Sequence, residues 1–181
     1  MKLVIGLTGN IGAGKTVVSD HLHKKYGADQ VRFSRILMDV LDRLYLPKDR
    51  NNLQTLGEVV RKSFGSDVIV NAFKKDLEKS RSHVVVVDGI RYMNEVKMLR
   101  SFDNNVLLFM DAPPKVRYER VVMRGEKGEE KNSFDVFLKA EQRGTEKGLP
   151  EIKKVADYMI ENDGSVERLL KNIDDIVKKR L

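Results

Sequence analysis

The stretch Gly9-Asn10-Ile11-Gly12-Ala13-Gly14-Lys15-Thr16 decides the architecture of this chain. It matches the pattern G-x-x-x-x-G-K-[ST] at every defined position. Residues 2–7 before it are a short apolar, β-branched run that reads as a strand. Residues 15–26 after it read as a helix, with Val18 and Leu22 on one face and Gly27 as its stop. Strand, glycine-rich loop and helix in that order form a phosphate-binding unit. The glycines let backbone N–H groups turn toward one point, and the new helix aims the positive end of its dipole there. Lys15 supplies a charge for the β- and γ-phosphates of a nucleoside triphosphate, and the Thr16 hydroxyl is a ligand for Mg²⁺. Gly9, Asn10, Gly12, Ala13, Gly14, Lys15 and Thr16 are therefore the expected contacts of ATP and its metal.

Outward from the loop, strand and helix signals alternate. Residues 30–33 read as a short second strand. Residues 35–45, 52–64 and 68–80 read as three helices. Val84 to Val87 is a run of valines, too short for a buried helix and stiffened toward extended geometry by β-branching. A helix over 92–101 leads to a second fully apolar strand at 105–110. Pro113 or Pro114 opens a helix that runs to Arg124. Asn132 or Ser133 caps a helix to about residue 147, and 157–161 is a last strand. Ser165 caps a final helix with Val166, Leu169, Leu170, Ile173, Ile176 and Val177 on one stripe. Strands apolar on both faces belong inside a parallel sheet. The expected fold is α/β, a five-stranded parallel sheet flanked by helices in three layers. Ligands of such sheets bind beyond the carboxyl ends of the strands.

Composition narrows the chemistry. The chain has 181 residues, enough for one domain with a real core, and no Cys. That removes thiolate metal sites, iron–sulfur clusters, a Cys nucleophile and a disulfide scaffold. Lys and Arg number 34 against 27 Asp and Glu, a formal charge of +7, which suits an anionic small molecule or a nucleic acid. Tyr26, Tyr92 and Phe73 form no RNA-binding array, so a nucleic-acid partner is disfavoured. His21 and His23, two apart on a helix, are poor joint metal ligands. No apolar run approaches a membrane span, and the N-terminus lacks a secretory pattern, so a cytoplasmic location is expected.

The run Val84-Val85-Val86-Val87-Asp88-Gly89 ends an apolar strand on an acid. Asp88 is placed either to order Mg²⁺ opposite Thr16 or to cap the next loop. Arg91 is placed to fork onto an anionic acceptor or to pair with Glu95 one turn on. Asp111 leads directly into Pro113 and Pro114 and reads as structural. Arg117, Arg120 and Arg124 are spaced by three and four and share one helix face. They precede the polar stretch 124–132, RGEKGEEKN, and a helix that holds Gln142 and Arg143. Such a face serves either as a solvated surface or as a lid over transferring phosphates, where catalysis is mostly positioning and charge neutralisation. The guanine-specific N/T-K-x-D motif, a transporter LSGGQ signature and a second acid after Asp88 are all missing from the sequence. This points away from GTPases, transporters and mechanical ATPases and toward a small-molecule kinase.

On these residues the chain resembles the P-loop kinases of nucleoside and deoxynucleoside monophosphates and of dephospho-CoA, a group related to adenylate kinase. LTGNIGAGKT resembles the start of dephospho-CoA kinase. Asp88-Gly89-Ile90-Arg91 is similar to the D-G-x-P-R element of monophosphate kinases. Asp88, Arg91, Asn94 and Glu95 resemble D-x-R-x-x-N-E of deoxynucleotide kinases, and residues 53–61, LQTLGEVVR, are similar to a further segment of that group. Ala156-Asp157-Tyr158 with Asn162-Asp163-Gly164-Ser165 resembles the C-terminal element of dephospho-CoA kinase. Where that kinase carries an acid pair after its second strand, this chain has Phe33-Ser34-Arg35.

The resemblance implies ATP-dependent phosphorylation of a nucleotide-like small molecule. It places 34–80 as a helical acceptor-binding insertion and 113–147 as a lid region of one domain over 1–181. Lys15, Asp88, Arg120 and Arg124 are the implied catalytic residues, with Arg117 beside the last two. Ser34, Arg35, Arg61 and Arg91 line the implied acceptor pocket. Asn162 and Gly164 border the adenine, Arg120 contacts ATP, and Thr16 and Asp88 hold Mg²⁺. One alternative is phosphorylation of the 3′-hydroxyl of dephospho-CoA, with Asp39 or Asp88 as base. Another is a P-loop ATPase with a regulatory or nucleic-acid-associated role. No membrane partner is expected, and the chain is expected as a monomer or homodimer.

Overall fold

Val84 to Val87 lie at the centre of the protein, each at most 2% exposed. They form β3 (Val84–Asp88), with β2 (Asp29–Arg32) on one side and β1 (Leu3–Gly9) on the other. Beyond β1 come β4 (Asn104–Asp111) and β5 (Tyr158–Glu161), so the order is β2-β3-β1-β4-β5 and every pairing is parallel. This computed structural model describes residues 2–125, 133–141 and 147–181.

Alternation along the valine run explains the layering. Val84 and Val86 face a cluster with Val18 and Leu22 of α1 (Lys15–Tyr26) and Leu169 and Ile173 of α9 (Val166–Lys178). Val85 and Val87 face Ile69, Phe73 and Leu77 of α4 (Val68–Lys79) and Val96 and Leu99 of α5 (Met93–Arg100). The fold is therefore three layers, helices on both faces of a parallel sheet. Between β2 and α4 run α2 (Ser34–Arg43) and α3 (Arg50–Phe64). Leu37 and Leu41 are the buried residues of α2, whereas among the described residues of α3 only Gly57 is buried. After β4 come α6 (Pro114–Arg124) and α7 (Phe134–Glu141).

Local chemistry sets the ends of these elements. Gly27 adopts φ 62° and ends α1, its N–H bonding the His23 carbonyl at 3.0 Å. The Asp49 carboxylate accepts the Asn52 N–H at 2.8 Å, and Ser165 Oγ accepts the Arg168 N–H at 3.3 Å, at the starts of α3 and α9. One element was not anticipated. Leu149–Lys154 is a short helix, α8, which buries Leu149 and Ile152. The positions of Gln142 and Arg143, and residues 126–132 of the polar stretch, lie outside the described residues.

The sheet order makes β1 the switch strand, with β3 and β4 to either side. The crevice at the carboxyl ends of β1 and β3 is thus where a ligand is expected. It receives Gly9 from β1 and Asp88 from β3. The turn after β3 is fastened to β1. The Gly89 and Ile90 N–H groups both donate to the Leu7 carbonyl, and Thr8 Oγ1 donates to the Ile90 carbonyl at 2.7 Å.

Away from that crevice, Asp174 of α9 straps down α1. It accepts from Lys25 at 2.6 Å, His21 at 2.8 Å and Tyr26 at 2.9 Å. Burial opposes its ionisation, but the bonds from Lys25, His21 and Tyr26 prevail and hold the carboxyl at about 2. A carboxylate depressed in this way stabilises the fold above its unfolded pKa and stops doing so as pH falls through the folded one. Asp174→Asn should cost about 1.5–3 kcal/mol in urea unfolding at neutral pH. The gap to wild type should narrow as the pH drops from about 4 toward about 2. Equal stability of the two proteins at neutral pH would contradict the strap.

Candidate nucleotide site

The loop between β1 and α1 is built on positive φ angles, 125° at Gly9, 77° at Gly12 and 99° at Gly14. At Gly12 a Cβ would also sit 2.5 Å from the Arg117 carbonyl oxygen, and at Gly14 it would strike the Asn162 amide. Both positions need glycine for conformation and for space. Five consecutive loop carbonyls are each taken by a side chain. The Lys15 ammonium donates to Gly9 and Asn10 at 2.7 and 2.8 Å. Arg117 Nη1 donates to Ile11 at 3.3 Å, Arg120 Nη1 reaches Gly12 at 3.5 Å, and Asn162 Nδ2 donates to Ala13 at 3.0 Å. Peptide planes whose C=O groups are held on one side turn their N–H groups to the other, which is the arrangement of an anion nest.

Two of those side chains are buried beneath the loop. Arg117 is 3% exposed, donates through Nε to the Ala112 carbonyl at 2.9 Å, and lies 5.6 Å from the Phe137 ring centre. The sequence groups it with a lid face, yet it is a fixed brace between α6 and the loop. Asn162 is 5% exposed, and its own N–H donates to Asp111 at 2.7 Å. Its side chain grips the loop backbone, which is where the chain puts the residue expected to border adenine. Arg120 links the two, donating to the Asn162 carbonyl at 3.1 Å. Gly164 is exposed, beside the Arg168 side chain.

Positive charge converges on Lys15. Burial pushes its pKa down to about 8, helped by Arg91, Arg117 and Arg124 and opposed by Asp88. Arginines from α6 and from the turn after β3 thus act at one point with the loop lysine. Thr16 is exposed at the start of α1.

Asp88 ends β3 and is 10% exposed. Its Oδ2 pairs with Arg32 Nε at 3.0 Å, and its Oδ1 is buried without a hydrogen-bond partner. A buried carboxylate oxygen left open is costly in protein alone and suits a cation or its water shell. Thr16 and Asp88 are accordingly the residues that fit Mg²⁺. Among the described residues there is no group of three or more His, Asp or Glu that would hold a metal by itself.

Glu95 does something the i,i+4 spacing does not reveal. Its Oε2 accepts the backbone N–H of Arg91 at 2.7 Å and of Tyr92 at 3.2 Å, capping α5 and fixing the turn that carries Arg91. Burial raises it to about 7, against those bonds and the nearby Arg61 and Arg91. The Arg61 guanidinium lies 5.2 Å from the Tyr92 ring centre. On the other side of the turn, a Cβ at Gly148 would lie 2.6 Å from the Arg91 carbonyl oxygen, so the chain entering α8 packs directly on that turn.

The remaining expected residues are less concentrated. Ser34 opens α2 and is half-buried, while Arg35 is exposed and pairs with Asp39 at 3.0 Å. Asp111 is structural as read, accepting the Ala112 N–H and pairing with Lys153 at 2.8 Å. Arg32 was not anticipated. Its signal was its place at the end of β2, which pairs in register with Asp88.

A glycine loop opening a helix, with an acid at the end of the adjacent strand, defines a P-loop protein. A family model described as an AAA domain matches residues 5–145. The UPF0200 protein of Staphylothermus marinus is 32% identical over 180 residues, covering 99% of this chain and 94% of that one. The UPF0200 protein of Pyrococcus abyssi is 30% identical over 99% of this chain and 97% of its own. This chain belongs to the UPF0200 family. In fold it is similar to shikimate kinase from Bacteroides thetaiotaomicron, at TM-score 0.61 and 19% identity, over 98% of this chain and 97% of that one.

Lys15 crowded by arginines implies strain without a ligand. A lysine whose folded pKa is lowered destabilises the fold below that pKa, and the cost fades as pH rises above about 8. Lys15→Met removes that cost together with the bonds to the Gly9 and Asn10 carbonyls. Its melting temperature relative to wild type should therefore be several degrees higher at pH 7 than at about pH 10, at about 2–4 °C per kcal/mol for a chain this size. A difference between the two proteins that stays constant over that range would contradict this.

Proposed function

We propose that this protein is an ATP-dependent phosphotransferase whose acceptor is a nucleoside monophosphate or a close relative. The observation that carries the reading is the disposition of charge around Lys15. Arg91, Arg117 and Arg124 all act on it, while the acids on the acceptor side are engaged. Asp39 pairs with Arg35, Asp88 shares one oxygen with Arg32, and Glu95 caps the Arg91 turn. An acceptor hydroxyl needs a base to take its proton. An acceptor phosphate is already ionised and needs only positioning and neutralisation, which arginines supply.

In this reading the loop N–H groups and Lys15 hold the β- and γ-phosphates of ATP. Mg²⁺, held by Thr16 and Asp88, supplies charge neutralisation at those phosphates when bound. Arg91 and Arg61 orient the acceptor anion, with Ser34 and Arg35 at the edge of its pocket. Arg120 and Arg124 neutralise the transferring group from α6. Arg117 and Asn162 keep the loop in shape from below and touch no substrate. Gly164 stays at the border of the nucleoside. The donor-side reading also accounts for a lysine held at lowered pKa, since bound phosphate would raise it again.

A second reading, phosphorylation of the 3′-hydroxyl of dephospho-CoA, is favoured by one observation. Asp88 Oδ1 is a buried carboxylate oxygen without a hydrogen-bond partner, open to receive a proton. A coupled ADP-release assay across nucleoside monophosphates and dephospho-CoA separates the two. Stimulation by a monophosphate, lost by at least about a hundredfold in Lys15→Met, is expected. Stimulation by dephospho-CoA alone would transfer the assignment to the second reading. No stimulation by any of these acceptors would contradict both.

A further inference from the structure

Arg32 stands in an unusual position for a strand-end arginine. It is the register partner of Asp88 across β2 and β3 and contributes Nε to Asp88 Oδ2 at 3.0 Å. Its side chain is 54% exposed, whereas that of Asp88 is 10% exposed. A guanidinium can grip both carboxylate oxygens with a two-pronged fork. Here Oδ2 is paired and Oδ1 stays buried and without a hydrogen bond. A half-exposed ion pair contributes little to stability, so holding the fold together does not explain it. Lys15 also lies within the field of Asp88, so this carboxylate has a cation from β2 and one from α1 beside it.

We propose that Arg32 is the counter-ion that a divalent cation displaces from Asp88, and that the freed guanidinium then takes the anionic acceptor. The proposal rests on the reading of Asp88 as a metal ligand given above. In the metal-free protein Arg32 is the cation paired with the Asp88 carboxylate. A cation bound at Asp88 takes over that role. Arg32 is then a free cation at the mouth of the crevice, where an acceptor phosphate must sit. Two ligands that bias one side chain between two partners are coupled, and the coupling is reciprocal. Metal with nucleotide therefore promotes acceptor binding, and acceptor promotes metal binding.

The test is a Mn²⁺ titration in the presence of a non-hydrolysable ATP analogue, with free Mn²⁺ read by electron paramagnetic resonance and the analogue alone as reference. Arg32→Gln should tighten Mn²⁺ binding about threefold, because the competing cation is gone. Arg32→Lys should stay near wild type. Asp88→Asn should weaken Mn²⁺ at least about tenfold, and adding Arg32→Gln to it should change nothing more. In a second arm inorganic phosphate serves as acceptor probe. Wild type should bind it more tightly with Mn²⁺ and analogue present, and Arg32→Gln should lose that gain. Mn²⁺ binding unchanged or weaker in Arg32→Gln would overturn the proposal while leaving the metal reading in place. Unchanged binding in Asp88→Asn would overturn the metal reading and the proposal with it. Arg32 is on the surface, so its replacement opens no core, and a matching far-ultraviolet spectrum and melting curve check that each variant is folded.

Discussion

The carbonyl groups of Gly9 to Ala13 all point at side chains, and the nucleotide end of the molecule depends on this. Each peptide plane of the loop is held from outside by Lys15, Arg117, Arg120 or Asn162. The holders come from α1, α6 and the turn after β5, so the loop shape is a joint product of the sheet order and the helices that follow it. Arg117 matters most, because it is buried and its own backbone leaves no room for a Cβ at Gly12. A buried guanidinium is tolerated only with good partners. It has carbonyls of Ala112 and Ile11 and the face of Phe137. The loop in turn supplies one of those partners, so brace and loop each need the other.

The same end of the molecule concentrates like charge. Lys15 titrates low because it is buried among arginines, and Asp88 is the nearby acid that opposes the effect. Such crowding is a poor arrangement for a resting protein and a good one for binding phosphates. Stability is given up locally where ligand charge is to be received. Elsewhere the molecule is conservative, with alternating valines filling both faces of the sheet and Asp174 tying the helix of the phosphate loop to the last helix. The +7 formal charge thus has a local meaning at the crevice, and the rest is spread over ordinary surface.

Much of this was legible in the sequence because the signals are local. The loop motif and the four valines each lie within one element and mark the β1–α1 loop and the central strand, whereas Arg117, spaced with Arg120 and Arg124, braces the loop from below. Most of what escaped depends on elements far apart in the chain. The Arg32–Asp88 pair exists because β2 and β3 are parallel neighbours in one register, which no periodicity encodes. Asn162 grips Ala13 because β5 ends beside the loop, so a residue read by resemblance as an adenine neighbour has a bracing contact. Glu95 shares an i,i+4 spacing with Arg91, yet it holds backbone N–H groups there. The helix Leu149–Lys154 is too short to show a period, and only the burial of Leu149 and Ile152 gives it a reason.

The central claim is that a loop held in this way is a site for a nucleoside triphosphate with its metal. Isothermal titration of the purified protein with a non-hydrolysable ATP analogue and Mg²⁺ tests it directly. Saturable binding of one nucleotide per chain, weakened when Mg²⁺ is omitted, is the expected result. Absence of saturable binding at millimolar nucleotide, by a protein whose melting curve is cooperative, would contradict it.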